Sequence, residues 1–324
     1  MKPNSSNYSN SAEPQISIIM TFKNSEPFLP DTINSILNQT EGRFILNAIN
    51  DGSSDNGELF LKNVQDNRLN ILSPGNIGLV KALNLGIQCV DTPYIAICDS
   101  DDIYVNTRFE KQLEFLNSHP NHVLVGSNIK YFGSSILERT WSISMPTENR
   151  QIIDALSRGL SAIVHSTVLF RTDAIKSIGG YKEETFPAPD YHLFFELTKY
   201  GAMANLNDNL AYVRLHKSSI MSNQLYEGLI KYEKSQLAFN KDRDFHIFNK
   251  KKSFFFNNFF LNLNHLEFRG LTLYRKGIFY YVNNNMFKGI LLIFVAGVIS
   301  PRRSIIFIKR IISQKLAFPK INSC

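Results

Sequence analysis

The sequence is poor in cysteine, in tryptophan, in long apolar runs and, toward its C-terminus, in acid. Only three cysteines stand among its 324 residues: Cys89, Cys98 and Cys324. They are odd in number and widely spaced, which excludes a disulfide framework and a zinc site of the usual spacing. Cys89 and Cys98 lie in apolar stretches and read as reduced core residues of a reducing compartment. The longest apolar run of the tail, Gly289–Ile299, has 11 residues, where a bilayer span takes about 20. Residues 1–14 are rich in Asn and Ser and hold no apolar core. They read as a disordered lead-in, not a signal peptide. Residues 1–240 carry 20 Lys/Arg against 25 Asp/Glu, net −5, whereas residues 241–324 carry 15 against 3, net +12. All the excess positive charge therefore lies in the last quarter, which suits an anionic partner such as a membrane surface or a nucleic acid.

What is present is an ordinary globular composition, 44% hydrophobic and 19% charged. Apolar runs of strand character alternate with stretches of helical period. Gln15–Phe22 reads as a strand and Phe28–Gln39 as a helix. Phe44–Ile49 and Glu58–Val64 form the next pair, Leu69–Leu72 and Leu79–Cys89 the third, and Tyr94–Cys98 with Thr107–Asn117 the fourth. Four such alternations with short loops predict a parallel α/β sheet covered by helices. Further strands are expected at Val123–Gly126, Ile129–Phe132, Ala162–Phe170, Met203–Leu206 and Ala211–Leu215. Helices are expected at Asn149–Leu156, Arg171–Ile178, Tyr191–Tyr200 and about Leu225–Lys241. The chain then divides into a lead, 1–14, a main α/β domain, 15–240, and a basic, apolar helical tail, 241–324.

In open α/β sheets, ligands bind beyond the carboxyl ends of the strands. Each of the four strands ends there in a polar group: Thr21, Asp51, Asn76, and Asp99 with Asp101. The last strand meets three acids, Asp99, Asp101 and Asp102. Like charges that close repel, and a hard divalent cation removes the repulsion. A solvated acidic turn, with Asp102 capping the next helix, is the plainer alternative. Asp190 opens a later helix, where an N-cap is its ordinary role. In the tail, Arg302, Arg303, Lys309 and Arg310 alternate with Ile/Phe blocks. This suits a basic amphipathic helix in a membrane interface, or a cap on the core with its charges in water. The bulky apolar blocks favour lipid over nucleic acid.

Taken together, Ile16–Phe22, Ile36–Thr40, Asn50–Asn56, Gly75–Gly86, Tyr94–Tyr104 and Arg108 resemble family 2 glycosyltransferases, over about residues 15–220. The resemblance implies the GT-A fold: a Rossmann-like, mostly parallel sheet flanked by helices, here with a helical C-terminal extension. It implies an inverting transferase that uses a nucleotide-sugar, with a UDP-sugar as the expected donor, and a divalent metal, Mn²⁺ or Mg²⁺. The acceptor would be a glycan or a lipid-linked oligosaccharide of cell-surface polysaccharide or lipooligosaccharide assembly. The enzyme would be cytoplasmic and peripheral to the inner face of the membrane.

Carried over residue by residue, the resemblance gives Asp51 the nucleoside and sets Thr21 against the nucleotide. Phe22 keeps a stacking face where relatives often have Tyr, and Asn50 stands where relatives often have an acid. Asp99-Ser100-Asp101 is the DxD motif, with Asp101 on the metal and Asp99 and Ser100 on the nucleotide side. Asn76 joins them, and Lys81 and Arg108 would balance phosphates or lie on helix surfaces. Asp190 is the general base, although the Glu that usually precedes it is Pro189 here. His216 would complete the metal site and His165 would lie on the acceptor side. Processive members add transmembrane helices and a Gln-x-x-Arg-Trp motif; the only Trp here is Trp141, so single addition is expected. Two other classes compete: a metal-dependent nucleotidyltransferase, disfavoured because Ser17–Asn24 has no glycine for a phosphate loop, and a non-catalytic nucleotide- or glycan-binding protein of the same fold.

Overall fold

The computed structural model describes residues 13–157, 161–185, 188–216, 273–274 and 276–299. They fall into two compact units, the first containing residues up to Lys130 and Met145–Val213, the second Tyr131–Ser144 and the chain from Arg214 onward. The division falls after Val213, and the second unit draws a mid-chain segment to itself.

The first unit is built from the four expected strand–helix pairs: β1 (Ile16–Phe22) and α1 (Leu29–Leu37), β2 (Phe44–Asn50) and α2 (Gly57–Lys62), β3 (Leu69–Leu72) and α3 (Leu79–Gln88), then β4 (Tyr94–Asp99). A two-residue strand, β5 (Ile103–Tyr104), separates β4 from α4 (Arg108–Ser118). There follow β6 (His122–Phe132), β7 (Thr140–Ile143), α5 (Asn149–Ser157), β8 (Leu169–Arg171), α6 (Thr172–Ser177), α7 (Pro189–Leu197) and β9 (Ala202–Arg214).

The sheet runs β3-β2-β1-β4-β8-β6-β9-β5, with β7 paired to β6. Its first four strands are parallel, and β8 joins antiparallel to both β4 and β6. β1 sits at the centre of the parallel half. Ile16, Ile18, Ile19, Met20 and Phe22 are all buried, on both faces, as a parallel strand covered by helices requires. Each such side chain stabilises the fold by roughly 1.5–3 kcal/mol relative to exposure. The chain winds from β1 to β2 to β3 on one side and returns to place β4 on the other. The order therefore reverses between β1 and β4, the kind of crevice where α/β sheets bind ligands.

Several expectations are corrected. The paired short strands expected after α4 and near Met203 are single strands of 11 and 13 residues; polar residues in their middles, such as Ser127 and Asn207, interrupt the apolar pattern but not the ladder. The strand expected at Ala162–Phe170 is mostly irregular: His165–Thr167 is a 3₁₀ turn and only Leu169–Arg171 is strand. Cys98 is buried, but Cys89 is exposed at the end of α3. The helix expected at Leu225–Lys241 and the basic segment 301–312 lie outside the described residues.

In the second unit, residues 276–282 (α8) and Met286–Ile299 (α9) are helical. Tyr274, Ile278, Val282 and Ala296 form a small core. Trp141 meets Tyr274 and Tyr281 edge-on, at 6.2 and 5.4 Å between ring centroids. Among the described residues, no helix is long and apolar enough to cross a membrane.

Candidate active site

The register brings the predicted polar groups to one edge. Thr21 pairs with Asp99 and Phe22 with Asn50, so the ends of β1, β2 and β4 are level. At the end of β2, Asp51 is buried, and one carboxylate oxygen accepts the backbone N–H groups of Ile77 and Gly78, at 2.9 and 2.7 Å. Asp51 therefore ties the loop before α3 to the end of β2. Asn50 does not behave as a vestigial acid. Its amide donates to Glu58 at 2.5 Å, and its carbonyl oxygen accepts the N–H of Ser53 at 2.8 Å. Gly52 has φ +75°, and a Cβ there would lie 2.8 Å from the Cβ of Asn76. The β2 and β3 loops thus touch backbone to side chain, and only glycine fits. Lys23 donates to the Asn76 side-chain oxygen at 2.8 Å. Its place one residue beyond β1 is the signal that marks Lys23 in the sequence.

The acid turn after β4 is held from several directions. Tyr104 is buried; its hydroxyl accepts the N–H of Asp99 at 2.7 Å and contacts the Asp99 carbonyl at 3.2 Å. Thr32 of α1 donates to the carbonyls of Ser100 and Asp102, at 3.2 and 2.7 Å, and the Ser25 and Ser100 hydroxyls lie 2.8 Å apart. Asp102 is buried and its carboxylate accepts from the Ser166 hydroxyl at 2.8 Å. It is not the cap expected of it: α4 begins at Arg108 with Thr107 in the cap position.

Carboxylate oxygens of Asp99, Asp101 and Asp102 all lie within 4.8 Å of one another. Asp99 is open to solvent at its surface, yet protein crowds around it. That loss of solvation, followed by the charges of Asp101 and then Asp190, pushes its carboxyl up to about 7, against a lowering by Arg108. With Asp102 turned to Ser166, Asp99 and Asp101 are the acids presented toward solvent. Two crowded, hard oxygen donors fit a Mg²⁺ or Mn²⁺ ion that would offset their repulsion.

Asp190 belongs to the same edge. It lies in the first turn of α7, one residue inside the helix, with Pro189 before it and Ala188 in the cap position. The ordinary capping role is thus filled by a residue with no side-chain bond, and Pro189 at the first helical position suits the missing N–H. The charge of Asp190 is felt at Asp99, at His165 and at Tyr181. His165 Nε2 and the Tyr181 hydroxyl are 2.7 Å apart. Burial lowers the His165 imidazole below its usual range while Asp190 raises it, and burial lifts the Tyr181 phenol well above its own. Tyr181 was not read from the sequence, where it is one aromatic among thirteen tyrosines.

Two assignments change, those of Phe22 and Arg108. Phe22 is 2% exposed, so it offers no face for a base to stack on. Arg108 is fully buried and cannot reach a phosphate; its guanidinium bonds Gln112, Cys98 and the carbonyls of Ile97 and Val168, and lies 4.7 Å from the Tyr104 ring. It braces the ends of β4 and β8 beneath the acids. Lys81 is exposed at the start of α3 and faces Glu183 at 3.5 Å. His216 lies two residues beyond the end of β9.

The amylovoran biosynthesis glycosyltransferase AmsE of Erwinia amylovora is 36% identical over 140 residues, 43% of this chain and 51% of that protein. The chain spans about half the length of the curated relatives it matches at this level. S. aureus TarS 1-349 in complex with UDP-GlcNAc superposes with a TM-score of 0.54 at 15% identity, covering 86% of this chain and 90% of that one. The mannosyltransferase PcManGT of Pyrobaculum calidifontis, in complex with GDP-Man and Mn2+, gives 0.53 at 13% identity, covering 96% and 82%. Identities this low carry the fold alone, and the fold is GT-A. The sequence pattern described as Glycosyl transferase family 2 matches residues 17–179, half of the chain: this protein belongs to glycosyltransferase family 2.

Proposed function

We propose that the chain is an inverting, single-addition transferase that moves a sugar from a UDP-sugar to a hydroxyl of a glycan or lipid-linked acceptor during assembly of a cell-surface polysaccharide, at the inner face of the membrane. The observation that carries this reading is Asp190, a carboxylate in the first turn of α7 whose charge reaches Asp99 on the β4 edge. It supplies what transfer needs opposite the diphosphate. AmsE, named for amylovoran biosynthesis, supports the polysaccharide setting, and the UDP-GlcNAc complex of TarS supports a uridine donor.

In this reading the nucleoside lies over the β1–β2 end. Asp51 presents its remaining oxygen to base or ribose while its other holds the loop of Asn76, and Thr21 and Ser100 line the crevice. Lys23 and Lys81 stand where the diphosphate charge would fall. Asp99 and Asp101 would hold the divalent cation, which when bound acts as a Lewis acid on the leaving diphosphate. Asp190 accepts the acceptor's hydroxyl proton as that oxygen attacks the anomeric carbon. The bond to the diphosphate breaks on the opposite face, so one displacement inverts the centre and no enzyme nucleophile is required. His165, held by Tyr181, lies beside the base on the acceptor side.

The test is a screen of UDP-, GDP- and dTDP-sugars with Mn²⁺, with and without a lipid-linked oligosaccharide. Release of UDP, with an inverted anomeric centre in the product, is expected. Release of inorganic diphosphate from a nucleoside triphosphate and a sugar phosphate would instead support a nucleotidyltransferase. Binding without turnover of any donor would support the non-catalytic reading. A long polymer grown from a short primer would refute single addition.

A further inference from the structure

The second unit carries a surface that transfer chemistry leaves unused. α9 buries Gly289 and Ala296 and exposes Phe287, Ile290, Leu291, Phe294 and Val298. At helical pitch these five side chains fall within an arc of about 100°, one continuous stripe. Phe287 is 82% exposed and Phe294 69%, and a contiguous apolar surface of this kind marks an interaction site. The opposite face is packed closely. A Cβ on Gly289 would lie 2.7 Å from the Tyr281 nitrogen and 2.8 Å from the Gly277 carbonyl oxygen. The stripe is therefore the outer face of a tight helix pair.

We propose that this stripe docks on an anionic membrane, with α9 lying in the interface. Three observations choose lipid as the occupant. First, the apolar run Gly289–Ile299 has 11 residues and is followed, after Ser300, by Pro301-Arg302-Arg303, where a bilayer span takes about 20 apolar residues; a run of this length suits the interface. Second, residues 268–324 hold ten Lys/Arg and no Asp or Glu, so the surrounding chain complements anionic headgroups. A second copy would set the same acid-free charge against itself. Third, Lys288 adjoins the stripe, its ammonium 4.0 Å from the Tyr280 ring. A Lys beside Tyr is the pairing that settles at headgroup level. The proposal deepens the reading of an acceptor at the membrane and names the helix face that meets it. It can fail while that reading stands, because lipid binding is measured without donor or acceptor.

The full chain is floated with phosphatidylcholine vesicles, with and without phosphatidylglycerol. Wild type is expected to float with the anionic vesicles. Phe287→Asp with Phe294→Asp should reduce partitioning at least about tenfold, and Lys288→Glu about fivefold, the equivalent of ~1 kcal/mol for a basic residue near the surface. Trp141, the sole tryptophan, packs against the helix pair and reports whether the unit is still folded; its emission should not change. If the double variant shifts that emission, Val298→Asp, at a position 68% exposed, repeats the test with one substitution. Flotation of folded variants equal to wild type overturns the proposal, as does failure of wild type to float. Wild-type dimers dissolved by the same substitutions would overturn it in favour of a second copy.

Discussion

The ends of β2 and β4 each present a carboxylate to the same edge, and they are held in opposite ways. Asp51 has its charge met by two backbone N–H groups. Asp99 has its backbone clasped by Tyr104 while its carboxylate is left among Asp101 and Asp190, which raise it. One acid contributes to the fold by being satisfied. The others are kept close at a cost, and a rigid turn is what keeps them there. The difference separates an acid met by the fold from acids held in mutual repulsion.

The comparison can be broken by four substitutions. Asp190→Asn should lower transfer by about 10²–10⁴-fold while donor binding, followed by calorimetry, persists; turnover near wild type would remove Asp190 as the base. Asp101→Asn should lower Mn²⁺-dependent transfer by about 10²–10³-fold, yet leave the metal-free protein as stable as wild type or more so, because a like charge is gone. A clear fall in melting temperature there would mean that the contacts Asp101 makes outweigh the repulsion. Asp51→Ala should do the reverse of Asp101→Asn on stability, costing about 1–3 kcal/mol as two N–H groups lose their acceptor, with a higher KM for the donor. Tyr104→Phe removes one hydroxyl from the Asp99 backbone and should cost about 1 kcal/mol with a smaller loss in kcat. An unchanged kcat would show that the turn does not need the clasp.

The parallel half was legible because its strands are short apolar blocks separated by turn residues. The periodicity from Ile16 to Cys98 gave both element type and order. β5 has two residues, too few to carry a period, and in β7 Thr140 and Ser142 alternate with Trp141 and Ile143, so it lacks the apolar block that marks the equally short β3; both went unread. Asp51, Asn76 and Asp101 stand out in the sequence because each follows a strand, and Asp99 because it ends one. Arg108 and Phe22 could not be assigned correctly, since residue type says nothing of depth; both are among the largest fully buried side chains. The cap role weighed for Asp190 beside that of base falls away because the helix starts one residue earlier, at Pro189, an offset that sequence does not show. Tyr181 met His165 only through tertiary folding, 16 residues apart.

The contact of Gly52 with Asn76, and of Asn76 with Lys23, has a consequence for how this enzyme could be altered. These three positions come from three different strand ends, yet their contacts join them into one piece of the edge. Any side chain at 52 displaces the residue at 76, and a displaced 76 releases the ammonium at 23. Under the proposed placement of the nucleotide at this edge, changing the nucleotide accepted would call for matched replacements at all three, selected together from one library, because single changes along that path each break one of these contacts.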